Sequence, residues 1–558
     1  MVVDRLLRSP PSVLGGAWHN RRSHTRMAFS QANLAVIESC PASEGAAASP
    51  PRPGRNLRAV TCVAAIVLLV LLVAFWPAFE HPAAFDEGPL LVYPELVLHG
   101  GVPYRDFETF YGPLNLWAIS AAYAVFGTNI FVERAVGLFY RLVILLAIFG
   151  LIQRWGKTIA AGSTLLSGCL LLGTELGAYA WMGGVAFGLG SLWIMTASER
   201  RFGSFFAGLL AGLALLFRAD LGPAVILSAC PFLYAMPWRD RKAYCAGATI
   251  ALLPLAGLTI IAGPEQLFNN LFFFPVLRSS AARHLPIFGV EPALVRLFFA
   301  HVLAALFNVI AGVTAVWSQP RERRNLLLIG LGLFGAAIIP QAYQRLDAIH
   351  LLSAAFLTIG TLPLSLLVIS SRARATIGPP MKALCGVTAV AVAVGALAPL
   401  PQLVGSFVTE AVQTESDGVA FLEQNGRPFP FPSRVVRAIG RMLDKLDKLS
   451  TSGERFFVGP TDLRRTNYCD TYFYYLMPKL RPATYFLEMN PLSANRPGSR
   501  LAADVASADW LLLNRWLDKW NEQNCSREFG SDAPNDVVRE NFILVGQYGP
   551  FGLFRRKR

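Results

Sequence analysis

The sequence predicts a polytopic α-helical membrane protein with a C-terminal extracytoplasmic α/β domain. Three observations carry that prediction. The chain is 54% hydrophobic and only 15% charged, with a mean hydropathy of +0.44, a balance typical of proteins that turn apolar surface to lipid. Apolar runs of about 20 residues, the length that crosses a bilayer core, recur from Ala59 to about residue 402. Beyond residue 403 such runs cease, and short strand-like and helix-like segments alternate instead. The organisation is therefore a disordered cytoplasmic tail (1–58), a membrane domain (59–403) with an external loop at 80–129, and the α/β domain (404–558).

The net charge of +14 does not indicate nucleic acid. Arg and Lys sit in short clusters between apolar runs, which is how topology signals are distributed, and no basic helix or RNA-binding motif occurs. The eight cysteines are dispersed with no CxxC pair, which argues against a zinc site.

Residues 1–58 are rich in Ser, Pro, Ala and Arg and lack apolar periodicity, the composition of a disordered tail. Met27 is an alternative start. Ala59–Phe79 is the first span, too long for the apolar region of a signal peptide. Eight Arg and three acids precede it, whereas Glu80–Glu108 carries six acids and one Arg, so the tail is expected inside and the loop outside. Leu114–Phe126 is too short to span and is expected as an interfacial helix of the external loop.

Further spans are expected at about 130–152, 158–174, 180–197, 203–217, 221–236, 243–262, 292–317, 325–341, 347–370 and 381–402, making about eleven in all. With the tail inside, the cytoplasmic connections read QRWGK, SERRF, WRDRK, QPRERRN and SSRARATIGPPMK. All are basic, as orientation by positive charge requires. In the α/β domain, helices are expected at about 406–424, 432–448, 472–477 and 499–506, and strands at 456–459, 484–488, 510–514 and 542–547. Cys469 and Cys525 lie on the oxidising side, as a disulfide or as two unpaired thiols.

This topology collects the unusual charges on the outer face. The loop Phe85–Pro113 carries Asp86, Glu87, Glu95, Asp106 and Glu108. Other external connections bring Arg218 and Asp220, then Arg278, Arg283 and His284, then Arg345, Asp347 and His350. Ionisable groups at membrane depth are costly unless they have partners or work. Arg grips phosphate through a planar fork, and a carboxylate of tuned pKa can take a hydroxyl proton. Such a set suits group transfer from a lipid phosphate: one base for the acceptor hydroxyl, and cations for the departing phosphate. Inverting displacement needs a single base. Neither a Gly-rich phosphate cradle nor a DxD-like metal pair occurs, which disfavours a soluble nucleotide-sugar donor.

Structural alternatives stand beside these assignments. Arg218–Asp220 is also read as an ion pair fixing helix ends, Arg278, Arg283 and His284 as headgroup contacts, and Arg345, Asp347 and His350 as a structural cluster. Asp86 and Glu87 are also read as a solvated loop with Asp86 as helix cap. Glu95 is expected to be structural, and Tyr93, Tyr104 and Tyr111 to be interface anchors.

The ordered set formed by Asp86-Glu87, PYRDF at Pro103–Phe107, YGPL at Tyr111–Leu114, a short helix ending Phe126-Gly127, and F-x-x-R-x-x-G at Phe131–Gly137 resembles the C-type (GT-C fold) glycosyltransferases. That group includes protein O-mannosyltransferases, bacterial aminoarabinose transferases and related polyprenyl-phosphate-sugar enzymes. The resemblance covers about residues 59–370 in architecture and is sharpest from Phe85 to Gly137. It implies a GT-C-like fold in a bacterial inner membrane, a polyprenyl-phosphate sugar donor, and a lipid or glycan acceptor of the cell envelope. It implies Asp86 as catalytic base with Glu87 beside it. It also implies Arg218, Arg345 and His350 as phosphate ligands, with Arg283 and His284 as further candidates. Asp106, Glu108, Asp220 and Asp347 are expected in acceptor-side or supporting roles. No trefoil insertion is evident between spans, which sets the chain apart from the protein O-mannosyltransferases. No cofactor is implied with certainty, and a divalent metal is left open. A lipid-linked sugar transporter or an inactive membrane scaffold are the competing readings. A transporter calls for charges deep within the spans and internal repeats.

Overall fold

A computed structural model describes residues 53–80, 86–197, 201–278, 280–287, 289–376, 418–519 and 521–557. Most of the tail, the expected 381–402 span and the 406–417 part of an expected helix lie outside the described residues.

Helices occupy each of the other ten expected spans. Seven are long and apolar enough to cross a membrane: Ala59–Phe79, Ile130–Trp155, Ala180–Ala197, Trp238–Ala262, Pro292–Ser318, Arg323–Gln344 and Ala348–Arg372. Lys157–Leu172, Arg201–Phe217 and Ala219–Ala235 are apolar but shorter. The chain is thus a multi-pass membrane protein. Large side chains such as Ile66, Val73, Ile260, Phe299 and Trp317 stand exposed on these helices, the surface that lipid covers. Inside, a polar ladder joins two spans. His301 Nδ1 lies 2.6 Å from Thr358 Oγ1, Asn308 Nδ2 donates to Thr361 Oγ1 at 2.8 Å, and Ser365 Oγ donates to Asn308 Oδ1 at 2.6 Å. Interhelical hydrogen bonds of this kind hold spans together where lipid supplies no hydrophobic drive.

Span ends bordering four of the five basic connections meet on one face. Arg324 stacks on Trp155 at 5.8 Å, Arg323 donates to the Met195 carbonyl at 3.4 Å, and Arg372 donates to the Thr314 carbonyl at 2.9 Å. These contacts tie together four connections that the charge pattern had placed on the same side.

The Pro113–Phe126 helix has fourteen residues, about 21 Å of rise and too little to span. It packs against the Glu87–Leu98 helix and the Ile130–Ile152 span. Ser120 Oγ donates to the Pro94 carbonyl, and Asn115 Nδ2 donates to the Ala178 carbonyl at 2.9 Å.

Among its described residues the α/β domain holds seven strands: β1 (Val419–Gln424), β2 (Arg427–Pro432), β3 (Arg455–Pro460), β4 (Arg481–Pro482), β5 (Trp510–Asn514), β6 (Phe542–Tyr548) and β7 (Phe551–Arg556). β1 and β2 form a hairpin. The others form one mixed sheet of order β4-β3-β5-β7-β6, parallel through β4, β3 and β5 and antiparallel beyond. Ser433–Leu449 buries Val435, Ile439, Met442, Leu443 and Leu446, a stripe at helical spacing.

Two expectations are corrected here. Residues 419–424, expected as helix, form β1, because Asn425 (φ 53°) and Gly426 (φ 73°) make a left-handed two-residue turn that folds the chain back. Residues 484–488, expected as a strand, form an irregular segment pinned by Asp504, whose carboxylate accepts from the Thr484 hydroxyl and the Tyr485 amide. The Ala533–Asn541 helix, β2 and β7 were not anticipated.

The external loop does not float above the spans. Leu91, Val92, Tyr93, Phe107, Leu116 and Ile130 share one buried core with the α/β domain. Glu95 accepts from Arg427 Nη1 at 2.8 Å, which ties the loop helix to the hairpin. At Gly88 the two parts come close together. A Cβ there would lie 2.8 Å from the Tyr472 amide nitrogen and 3.1 Å from Thr471 Cβ.

Candidate functional site

The Glu87–Leu98 helix starts immediately after Asp86, whose carboxylate makes no capping hydrogen bond to it. The group is left free to face inward. It lines a cavity of about 270 Å³ together with Tyr111, Glu175, Arg218, Arg283, Arg345, Asp347 and His350, and with Tyr468, Glu488 and Asn490 of the α/β domain. The Asp86 side chain is exposed within the cavity, with protein packed closely around it. That burial raises its pKa above the usual carboxylate range, against the pull of His350, Arg345 and Arg283.

Arg218 and Arg345 reach the cavity through extended breaks between helices. Arg218 is extended (φ −152°, ψ 115°) between the Arg201–Phe217 helix and the next, which restarts at Gly222-Pro223. Its guanidinium pairs with Asp220, with Nε 2.9 Å from Oδ1, and lies 5.5 Å from the Trp181 ring. Arg345 is extended and bridges to Leu285. Asp347 immediately precedes the last described span. Its Oδ1 accepts from the His350 amide at 2.9 Å as a helix cap and lies 2.8 Å from His350 Nδ1. Burial opposes ionisation of Asp347, but His350 and Arg345 outweigh it and hold the pKa down to about 2. Arg283 donates to Asn490 Oδ1 at 3.3 Å and stacks on Phe110 at 5.0 Å. Among the described residues it pairs with no carboxylate.

A wider, mostly apolar groove of about 1050 Å³ adjoins the cavity. The two share Tyr111, Arg218, Arg283, Gln341 and Gln344. Phe110, Trp181, Leu271, Phe272, Val276 and Ile338 line the groove beyond them.

Eight of the expected residues are brought to these two spaces. Asp86, Arg218, Arg283, Arg345, Asp347 and His350 line the cavity, and His284 lines the groove with Asp220, its Nδ1 3.2 Å from the Gln344 carbonyl oxygen. Three are not. Glu87 turns away from Asp86 into a buried bidentate pair with Arg134, at 2.6 and 2.8 Å. Asp106 is exposed, pairs with Arg105 and accepts from the Val102 amide at 2.8 Å, so it shapes its own turn. Glu108 is buried, accepts from Ser493 and from Asn490 Nδ2 at 3.3 Å, and lines a separate polar cavity of about 360 Å³ with Arg105, Asn270, Arg496 and Arg500. Arg278 is exposed and lines none of the three spaces.

The tyrosines expected at the lipid interface are also elsewhere. Tyr93 is buried and stacked on Phe107 at 4.9 Å, Tyr104 is buried with its hydroxyl donating to the Tyr111 carbonyl at 2.7 Å, and Tyr111 lines the cavity. Cys469 and Cys525 are both free thiols.

Several site residues escaped the sequence reading. Glu175 sits in the short connection Gly173–Tyr179, and burial pushes its pKa up to about 8 against a hydrogen bond from Tyr179. An acid between two apolar runs on the outer side was a readable signal. Arg141 places it from within a span, roughly 10 Å deeper than Arg134 along the helix. Its guanidinium donates to the carbonyls of Gly137, Leu176, Gly177 and Glu175 and to Thr174 Oγ1. Gly137 admits this connection, since a Cβ there would lie 1.9 Å from the Leu176 oxygen. Glu488 is driven up to about 7 by burial, partly offset by Asn490 and Arg283. Asn490 donates to both Glu488 and Glu108 and so stands between the two polar cavities. Nothing in local composition marked Glu488, Asn490 or Tyr468. Among the described residues no group of three or more His, Cys, Asp or Glu side chains gathers as a metal site.

No protein-family model matches the sequence, and neither does any curated protein sequence. Among solved structures, the chain is similar to ArnT from Cupriavidus metallidurans bound to undecaprenyl phosphate. Identity is 14%, the TM-score is 0.47, and the match covers 90% of this chain and 98% of that one. The same protein in its apo state matches with 14% identity, a TM-score of 0.47, and 89% and 98% coverage. The arabinosyltransferase EmbB from Mycobacterium smegmatis matches with 15% identity and a TM-score of 0.37, over 73% of this chain and 44% of that one.

Proposed function

We propose that this chain is an integral-membrane glycosyltransferase. It moves a sugar from a polyprenyl-phosphate donor to a lipid or polysaccharide acceptor of the cell envelope, on the outer side of a bacterial inner membrane. One observation carries the reading: Asp86 shares a small polar cavity with Arg218, Arg283, Arg345 and His350, and that cavity adjoins an apolar groove. A ligand suited to both has a long hydrocarbon tail and an anionic head.

In this reading the tail lies along Phe110, Trp181, Phe272 and Val276, and the phosphate meets Arg283, which forms no ion pair with a carboxylate among the described residues. The acceptor hydroxyl gives its proton to the Asp86 carboxylate as its oxygen bonds to the anomeric carbon. The bond from that carbon to the phosphate oxygen breaks, and the lipid phosphate keeps the electron pair. Burial makes Asp86 a stronger base than a solvated aspartate, which suits proton abstraction near neutral pH. Arg345 and His350 stabilise the charge developing on the departing phosphate. Glu87 anchors the loop through Arg134 and takes no part in proton transfer.

The test is mass spectrometry of envelope glycans from cells carrying the natural chain, no chain, or Asp86→Asn. The expected result is a sugar modification present only with the natural chain, while Asp86→Asn accumulates normally in the membrane. Modification that persists with Asp86→Asn overturns the assignment of the base. An identical glycan profile in all three strains overturns the transferase reading.

A further inference from the structure

Arg345 is held by more than its neighbour in sequence. Its Nε donates to Asp347 Oδ2 at 2.7 Å, and its Nη1 and Nη2 donate end-on to the two carboxylate oxygens of Glu522, at 3.0 and 2.5 Å. Glu522 belongs to the α/β domain and is brought to the site by a loop. The same loop continues through Gln523, Asn524 and Cys525, which line the apolar groove. Asn524 Nδ2 donates to Glu522 Oε2 at 2.9 Å, and Arg527 Nε donates to its backbone carbonyl.

The charges around this fork leave no room for a further anion. Arg345 already faces two carboxylates, and a phosphate would place a third acid beside one guanidinium. Asp347 is committed to its helix cap and to His350 as well as to Arg345. Glu522 is the partner carried on a loop, and its two oxygens take the parallel fork geometry that two phosphate oxygens take on arginine.

We propose that Glu522 marks the subsite of the donor's phosphate and exchanges with it: an alkyl phosphate displaces the carboxylate from Arg345, and the Glu522–Cys525 wall of the groove moves with it. This rests on the donor reading above and adds a residue to it. Glu522 sets how readily the site accepts an anionic lipid, and the α/β domain thereby senses occupancy of the groove.

The experiment uses the full chain in lipid nanodiscs with two probes, undecaprenyl phosphate and the uncharged undecaprenol. Glu522→Gln should bind undecaprenyl phosphate about tenfold more tightly than the natural chain, the scale of one charge-assisted hydrogen bond gained without a competitor. Undecaprenol binding should not change. In the natural chain, saturating undecaprenyl phosphate should speed alkylation of Cys525 by a membrane-impermeant maleimide, read on the Cys525 peptide by mass spectrometry, while undecaprenol should not. Equal phosphate affinity in both proteins overturns the exchange and leaves the donor reading standing, as does Cys525 alkylation indifferent to the phosphate probe. Binding of the phosphate by neither protein overturns the donor reading and the exchange together. Should Glu522→Gln fold poorly and lose undecaprenol as well, the Cys525 measurement on the natural chain decides the matter.

Discussion

Removing Arg134 should cost this protein more than removing any surface arginine. Its side chain is 2% exposed and that of its partner Glu87 is 3% exposed. Besides the two bonds to Glu87, it donates to the Phe79 carbonyl at 2.7 Å and the Ala78 carbonyl at 3.4 Å. Arg134→Met leaves a buried carboxylate without its counter-charge, a change worth roughly 3–5 kcal/mol in other buried pairs. At about 2 °C per kcal/mol for a large domain, the midpoint of thermal unfolding should fall by about 6 °C or more. Glu87→Leu with Arg134→Met removes both charges and should recover most of that loss. Tryptophan fluorescence of the detergent-solubilised protein measures the four corners of the cycle. Transfer activity adds a second criterion. Arg134→Met should lose activity because Asp86 sits next to the unpaired Glu87, whereas the stabilised double variant should regain it. A coupling energy near zero refutes the electrostatic argument. A stable double variant as dead as Asp86→Asn refutes the claim that Glu87 only anchors the loop.

Three further outcomes follow from the site. The base must be ionised, so kcat/KM should fall as pH drops through the raised pKa of Asp86. The acid limb should lie above the ordinary aspartate value near 4, and His350→Gln, which removes a group that lowers that pKa, should move the limb to higher pH. Glu488 and Glu108 are each raised by burial from 4.5 to about 7, so the folded state holds protons that the unfolded chain releases. Stability should therefore be greatest below pH 4.5 as far as these groups decide it, and decline as pH rises toward 7. Glu488→Gln should flatten part of that decline, a difference of about 3 kcal/mol if the full shift is realised, read as thermal midpoints across pH 5–8. Gly88→Val should force the loop helix off Thr471 and Tyr472 and lower activity, and a variant with unchanged kinetics would show that the seam is slack.

The membrane architecture was legible because two independent signals agreed. Apolar length located the spans, and the charge of the connections sorted their ends, which the Arg324–Trp155 and Arg323–Met195 contacts join on one face. The convergence of Asp86 with Arg218, Arg283, Arg345 and His350 followed from that sorting. Glu87 was misjudged for a reason visible in helix geometry. Successive residues at a helix start point about 100° apart, and here that offset turns Glu87 to Arg134 while Asp86 faces the cavity. The β1–β2 hairpin had its Asn425-Gly426 signature in plain view, but the apolar residues before it were read as a continuing helix. Arg141 was passed over as an ordinary residue of a span, although a guanidinium that deep must find acceptors. Glu522 had no local mark at all. It lies 177 residues from Arg345, and neither periodicity nor composition announces such a pairing.

The sharing of one core between the early loop and the α/β domain bears on how the protein comes into being. Leu91, Val92, Tyr93 and Phe107 leave the ribosome hundreds of residues before Phe456, Tyr475 and Trp510, against which they finally pack. Until synthesis nears its end, the segment bearing Asp86 can settle on the Pro113–Phe126 helix and Arg134 but lacks the α/β side of its core. A chain cut short within the last hundred residues would insert its spans normally and still lack a working centre. Translation thus withholds activity from every incomplete copy.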